Sequence, residues 1–270
     1  MRRTAVGLVR ASHAGPTVVV TALSVALLVG LGAPGRVVAV ATAAVLLGQL
    51  SVGWSNDWLD AGRDTAVRRR DKPVVAGAVR AETLRRCALV AAGLCVVASL
   101  ATGPLPGVVH LVAVAGAWAY NLGLKRTAWS WVPYVVSFGL LPVFLSLAAG
   151  DGRVPWRLAV AGALLGAGAH VANALPDLED DAATDVRGLP HRFGRRGSAV
   201  LAPVLLAAAA GVVVGGGAVR LAVGALTVAV AVAAGVVGAV RPSSRAPFAL
   251  SMAVAGLCVG LLVTAGRGGA

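Results

Sequence analysis

The chain has 270 residues, 58% of them hydrophobic and only 13% charged, with a formal net charge of +13. A soluble domain carries about 25% charged residues, so this composition excludes an ordinary water-soluble enzyme. A basic excess in a soluble chain would suggest nucleic acid. Here the basic residues are sorted between apolar stretches, which speaks for a lipid bilayer and against a nucleic-acid partner.

Nine apolar stretches of membrane-spanning length follow one another. The first, 15–33, comes after Arg2, Arg3 and Arg10, as a secretory leader would. It is long enough to span and no small-residue cleavage site closes it, so it is expected to be retained. Stretch 36–54 runs into "SNDWLDAGRD" at 55–64. Stretches 82–101, 104–122 and 132–149 come next. Stretch 155–176 runs into "DLEDDAATD" at 177–185, and 198–217, 219–240 and 247–266 complete the chain. Ala, Val, Leu and Gly dominate these stretches, and small residues let helices approach closely in lipid. The expected fold is all-α: one polytopic domain over 1–270, with about nine transmembrane helices and two motif segments, 55–77 and 173–197. Cys87, Cys95 and Cys258 lie in or beside the stretches without metal-binding spacing and are expected to be structural.

Basic residues set the expected orientation. With nine spans, only Arg36, Arg153, Arg157, Arg220 and Arg267 fall on one side; the other nineteen of 24 fall on the side of the N-terminus. The positive-inside rule places that side in the cytoplasm, with the plasma membrane as the expected location. Trp54, Trp58, Trp118, Trp129, Trp131 and Trp156 sit near the expected helix ends, as an interfacial aromatic belt would.

The acids are more selective still. Of eleven, Asp57, Asp60, Asp64 and Asp71 form one group, and Asp177, Glu179, Asp180, Asp181 and Asp185 another; only Glu82 and Asp151 lie elsewhere. Both groups are on the expected cytoplasmic side. Asn56, Asp60 and Asp64 recur every four residues, as do Asp177, Asp181 and Asp185, and i and i+4 share a helix face. An offset of 121 superposes the two columns, and each is followed by a P-x-x-x-G, "PVVAG" at 73–77 and "PHRFG" at 190–194. This weak repeat suggests two facing halves. One D-x-x-x-D in a loop is ordinary solvated surface. Two such columns on one side, holding nearly all the acids, are not. Like charges in a column repel, unless a cation lies against them.

Oxygen ligands of this kind select hard cations, and Mg²⁺ commonly joins carboxylates to phosphate oxygens. Arg63, Arg68, Arg69, Arg70 and Lys72 flank the first column; Arg187, Arg192, Arg195 and Arg196 flank the second. Acids for a metal, bases for phosphate and hydrocarbon beneath suit an amphiphile with a diphosphate head and an isoprenoid tail.

"NDWLDAGRD" and "DLEDDAATD" resemble the two signatures of the UbiA superfamily of intramembrane prenyltransferases, N-D-x-x-D-x-x-x-D and D-x-x-x-D with a third acid four on. The resemblance covers essentially the whole chain. It implies a helix bundle around a central cavity, Mg²⁺ as cofactor, and transfer of an isoprenyl group from its diphosphate to a hydrophobic or aromatic acceptor. It also implies Asn56 and Asp60 as ligands of one Mg²⁺ and Asp177 and Asp181 of another. Asp60, Asp181 and Lys125 are then the catalytic set, with Asn56, Asp57, Arg63, Asp64, Lys125, Asp177, Asp181 and Asp185 binding substrate. The family's Y-x-x-x-K motif is met at Lys125, but its tyrosine position holds Asn121. Within the same superfamily, terpene cyclisation and phosphoribosyl transfer to a polyprenyl phosphate use similar chemistry. A cation transporter is the reading outside enzymes, though transport carboxylates usually sit near the bilayer midplane. His170 and Gln49 lie two turns below Asp177 and Asn56, where each either lines the cavity or packs helices. His191 and Arg192 are expected in a solvated loop, and His13 and His110 to be structural.

Overall fold

The computed structural model describes residues 2–150, 152, 156–183, 186–214, 218–241 and 246–266. Asp185, expected to bind substrate, lies outside them, as do Asp151, Arg153, Arg245 and Arg267. The helices are α1 (Arg2–Ala11), α2 (Ala14–Gly30), α3 (Gly35–Leu59), α4 (Ala61–Ala66), α5 (Ala81–Leu100), α6 (Pro104–Leu122), α7 (Val132–Ala149), α8 (Trp156–Ala174), α9 (Leu178–Ala183), α10 (Leu189–Val213), α11 (Ala218–Val240) and α12 (Ala246–Gly266), with a 3-10 turn at Leu124–Arg126. No strand occurs among the described residues.

Among the described residues a long helix falls within or overlaps each of the nine expected stretches. Six of these are long and apolar enough to span a bilayer, and seven if the bent pair α1–α2 is one span. Arg157, His170 and Asn173 lower the hydropathy of α8, and the described apolar part of α12 ends at Leu261. The chain is a multi-pass membrane protein. Helix α3 runs five residues past its expected end, which puts Asn56 and Asp57 on the helix itself.

The long helices close into a ring. Neighbours pack as α2 on α3, α3 on α5 and α6, α6 on α7, α7 on α8, α8 on α10, α10 on α11, and α11 on α12, which returns to α2. Glycine makes the tightest approach. A Cβ on Gly162 would collide with the carbonyl of Phe138, and one on Gly166 with the carbonyl of Tyr134. Two glycines four apart on α8 thus seat the α7 backbone, and in lipid such packing replaces the missing hydrophobic drive. A Cβ on Gly53 would stand 2.8 Å from the Ser12 carbonyl, so α3 accepts the α1–α2 corner equally closely.

Both acidic segments have the same local form: a long helix, a break, then a helix of six residues. Asp60 ends α3 and precedes α4. Pro176 cannot donate to the α8 ladder and disfavours helical geometry at Leu175, so α8 stops and α9 restarts, with the Asp181 amide bonded to the Asp177 carbonyl at 2.8 Å. Gly77 (φ 67°) and Gly194 (φ 64°) close the two P-x-x-x-G turns in the left-handed region that glycine enters freely. The corner before α2 uses the same region without glycine: His13 has φ 52° and ψ 57°, and α1 meets α2 at 62°.

Candidate active site

One cavity of about 450 Å³ lies inside the ring. Along α3 its lining runs Val45, Gly48, Gln49, Val52, Asn56 and Asp60, a rise of about 22 Å from apolar to charged. Along α6 it runs from His110 and Ala113 through Ala117 to Tyr120 and Asn121, with Lys125 beyond. Tyr134, Ser137, Phe138 and Leu141 of α7 return the other way, and Asn173, Asp177 and Asp181 close the charged end. Both acidic segments therefore reach one chamber, whose opposite end is hydrocarbon.

The charged end is cross-linked between its two halves. Arg63 reaches Asp60 at 3.3 Å and Asp64 at 3.5 Å in its own segment, and Asp181 of the other at 3.4 Å. Arg69 reaches Asp177 at 3.1 Å and Asp71 at 3.0 Å. Lys125 donates to Asp60 at 2.5 Å and is only 5% exposed. A lysine at the end of a span often snorkels to lipid head groups; this one turns inward. Burial raises the Asp181 carboxyl above the ordinary range, against the pull of Arg63. Burial likewise raises Asp64, opposed by Lys72 and Arg63. The Lys125 ammonium is lowered by burial, with Asp60 working against the shift. Arg69 is held above its usual value: burial disfavours its charge, but Asp71 and Asp177 outweigh that.

Asp57 and Asp64, expected to bind substrate, are buried and are not among the cavity-lining residues. They stand behind it. Asp57 accepts from Lys72 at 2.8 Å and meets the His13 ring at 3.3 Å; Asp64 backs Arg63. The reason is helical phase: Asp57 follows Asn56 by one position and so faces about 100° away from it. Gln49 lines the cavity. His170 is 2% exposed and packs between Tyr134, Ser130 and Tyr120. His13 and His110, expected to be structural, both line the cavity, His110 stacked on Phe144 at 4.5 Å and bonded to Ser99.

The oxygen set at the charged end suits a hard cation. Asp60 and Asp181 already hold one guanidinium between them, so a positive charge is stabilised there. Among the described residues no three acids, histidines or cysteines converge closely enough to hold a metal ion by themselves. Asn56 adds a neutral carboxamide.

Residues 17–257 match the sequence profile of the UbiA prenyltransferase family. The chain belongs to the UbiA prenyltransferase family. Solved UbiA structures share its fold. The apo UbiA homologue from Aeropyrum pernix K1 aligns with 18% identity over 93% of this chain and 98% of its own, with a TM-score of 0.75. A UbiA homologue from Archaeoglobus fulgidus bound to DMAPP and Mg²⁺ aligns with 14% identity over 97% and 99%, at 0.69. The same homologue bound to GPP and Mg²⁺ aligns with 15% identity over 96% and 99%, at 0.66. Comparison with curated proteins finds no match.

Sequence spacing points to both columns, and the structure brings Asn56 and Asp60 of the first and Asp177 and Asp181 of the second to one chamber. The sequence marks Asn121 only as a departure from Y-x-x-x-K and His13 only as a structural residue, and it does not single out Tyr134. Tyr134 and Phe138 do carry a signal, two aromatics four apart in a span whose only other aromatic is Phe144. His13 carries none.

Proposed function

We propose that the protein is a Mg²⁺-dependent intramembrane prenyltransferase that moves an isoprenyl group from its diphosphate to a hydrophobic, aromatic acceptor. The observation that carries this reading is one cavity in which Asn56 and Asp60 of the first column, Asp177 and Asp181 of the second and four cations cap a largely apolar chamber. Membership of a prenyltransferase family and the A. fulgidus homologue, which binds DMAPP or GPP with Mg²⁺, support it.

In this reading Asn56 with Asp60, and Asp177 with Asp181, hold Mg²⁺, which when bound draws off charge from the leaving diphosphate. Lys125, Arg63, Arg69 and Lys72 bind the diphosphate oxygens, as charge-assisted donors do best away from water. Asp57 and Asp64 hold two of those donors from behind. The isoprenoid tail lies among Val45, Val114 and Leu141. Tyr120, Tyr134 and Phe138 border the passage between head and tail, where aromatic faces stabilise positive charge on an allylic carbon and exclude water from it. The acceptor's carbon then takes the isoprenyl group and loses a proton. The charged end faces the cytoplasm of a plasma-membrane protein.

The test is incubation of the purified protein in nanodiscs with C10 to C20 and longer prenyl diphosphates, with Mg²⁺ or EDTA, and with or without aromatic acceptors. Acceptor- and Mg²⁺-dependent diphosphate release with a prenylated product is expected, and Asp60→Ala and Asp181→Ala each abolish it while the protein stays folded. Full turnover by either variant at saturating Mg²⁺ overturns the reading. Cyclised hydrocarbon formed without acceptor replaces transfer by cyclisation.

A further inference from the structure

We infer that Asn121 is a positioning residue that sets which end of the Asn56 carboxamide faces the cavity. The inference rests on the metal-binding reading given above. Asn121 is 6% exposed, and α3 dictates its orientation. Its Nδ2 lies 2.9 Å from the Val52 carbonyl oxygen and 2.8 Å from Ser55 Oγ. A carbonyl can only accept. The Ser55 hydroxyl spends its own proton on that same carbonyl at 2.9 Å, so towards Asn121 it too can only accept. The side of Asn121 facing α3 must therefore be its NH₂.

That leaves Oδ1 on the other side, where it accepts from Asn56 Nδ2 at 3.2 Å. Asn56 must then turn its NH₂ to Asn121 and keep its Oδ1 for another partner. Asn56 lines the cavity beside Asp60. The two ends of a carboxamide are almost the same size, so sterics do not choose between them. Chemistry does: the oxygen ligates a cation and the NH₂ repels one. The relay runs from the Val52 backbone through Asn121 to Asn56, and each step has one allowed direction. It also gives a use to the place where the chain departs from Y-x-x-x-K, because a carboxamide carries a donor and an acceptor on separate sides.

Groups that orient a metal ligand from behind typically change metal affinity by roughly ten- to a hundredfold when removed. The experiment is Mn²⁺ titration of the purified full-length protein by EPR, with methylenediphosphonate as the anion, on wild type, Asn121→Leu, Asn56→Ala and the double variant. Asn121→Leu is expected to weaken Mn²⁺ by roughly ten- to a hundredfold. The double variant is expected to bind no more weakly than Asn56→Ala alone, because Asn121 acts through Asn56. Ser55→Ala leaves affinity unchanged, since the Val52 carbonyl still orients the relay. If Asn121→Leu does not fold, Asn121→Ala takes its place: a methyl group neither donates nor accepts, and the same loss is expected. Unchanged affinity in the Asn121 variant that folds overturns the inference, and so does a loss that persists in the Asn56→Ala background. Asp60→Ala and Asp181→Ala separate the two levels. If they abolish Mn²⁺ binding and the Asn121 variants do not affect it, only this inference falls. If they too leave it intact, or wild type binds none, the metal reading falls with it.

Discussion

Lys125 shows how much one side chain decides at the charged end. It is buried against Asp60, while Arg126, next in the chain, is exposed. A charge-assisted contact of this kind contributes about 1.5–3 kcal/mol, and about 1.4 kcal/mol is tenfold in binding. Lys125→Met should therefore lower kcat/KM for the prenyl diphosphate by roughly ten- to a hundredfold, with Arg126→Met close to wild type. Steady-state kinetics of the pair decides it; equal rates would make Lys125 a structural plug. Burial lowers the Lys125 pKa, so the ammonium is lost at lower pH than on a free lysine. Activity should fall on the alkaline side accordingly, and Lys125→Arg, which stays charged, should move that limb upward.

The residues that could be read in advance were those whose meaning lies in spacing. Asn56, Asp60, Asp177 and Asp181 stand at intervals that a helix turns into columns. Which of the clustered arginines meets which acid was not readable. Arg63 and Arg69 find Asp181 and Asp177 across more than a hundred residues, and only the closed ring fixes that pairing. Asn121 read as a departure from a motif, because its partners sit on another helix.

At the level of elements, α7 against α8 is the contact that aims Tyr134 and Phe138 into the cavity. It depends on Gly162 and Gly166 having no side chain. Overpacking a close contact costs typically about 1–3 kcal/mol, so Gly166→Ala should lower the thermal midpoint in detergent and slow turnover together. Gly211→Ala, where nothing lies within 4 Å of a new Cβ, should do neither. A thermal-shift series on both variants distinguishes a packing seam from an incidental glycine. Apolar length predicted the long helices well, because burying a ladder in lipid leaves the backbone no alternative. It missed α4 and α9, since helices of six residues owe their existence to the breaks before them and not to any pattern of their own.

At the level of the whole molecule, the ring requires both acidic segments to open on one face of the bilayer. Cysteines introduced at Arg70 and Arg192 in a Cys87→Ser background should react with an impermeant maleimide from the same side, and one at Thr102 from the other. Opposite exposure of Arg70 and Arg192 would dismantle the shared chamber.

The ion pairs carry a further consequence, for biogenesis. Every acidic side chain described in the structure has a cation partner within the chain. Many metal sites are assembled only as the ion binds, and such proteins unfold in chelator. Here the carboxylates are laid down beside lipid already neutralised by Arg63, Arg69, Lys72 and Lys125, so insertion need not wait for an ion. EDTA should leave the thermal midpoint of the wild-type protein unchanged while stopping turnover. Arg63→Ala leaves Asp60, Asp64 and Asp181 with less compensation, and its midpoint should rise when Mg²⁺ is added. One arginine thus separates a membrane protein that matures on its own from one that would need its ion to finish folding.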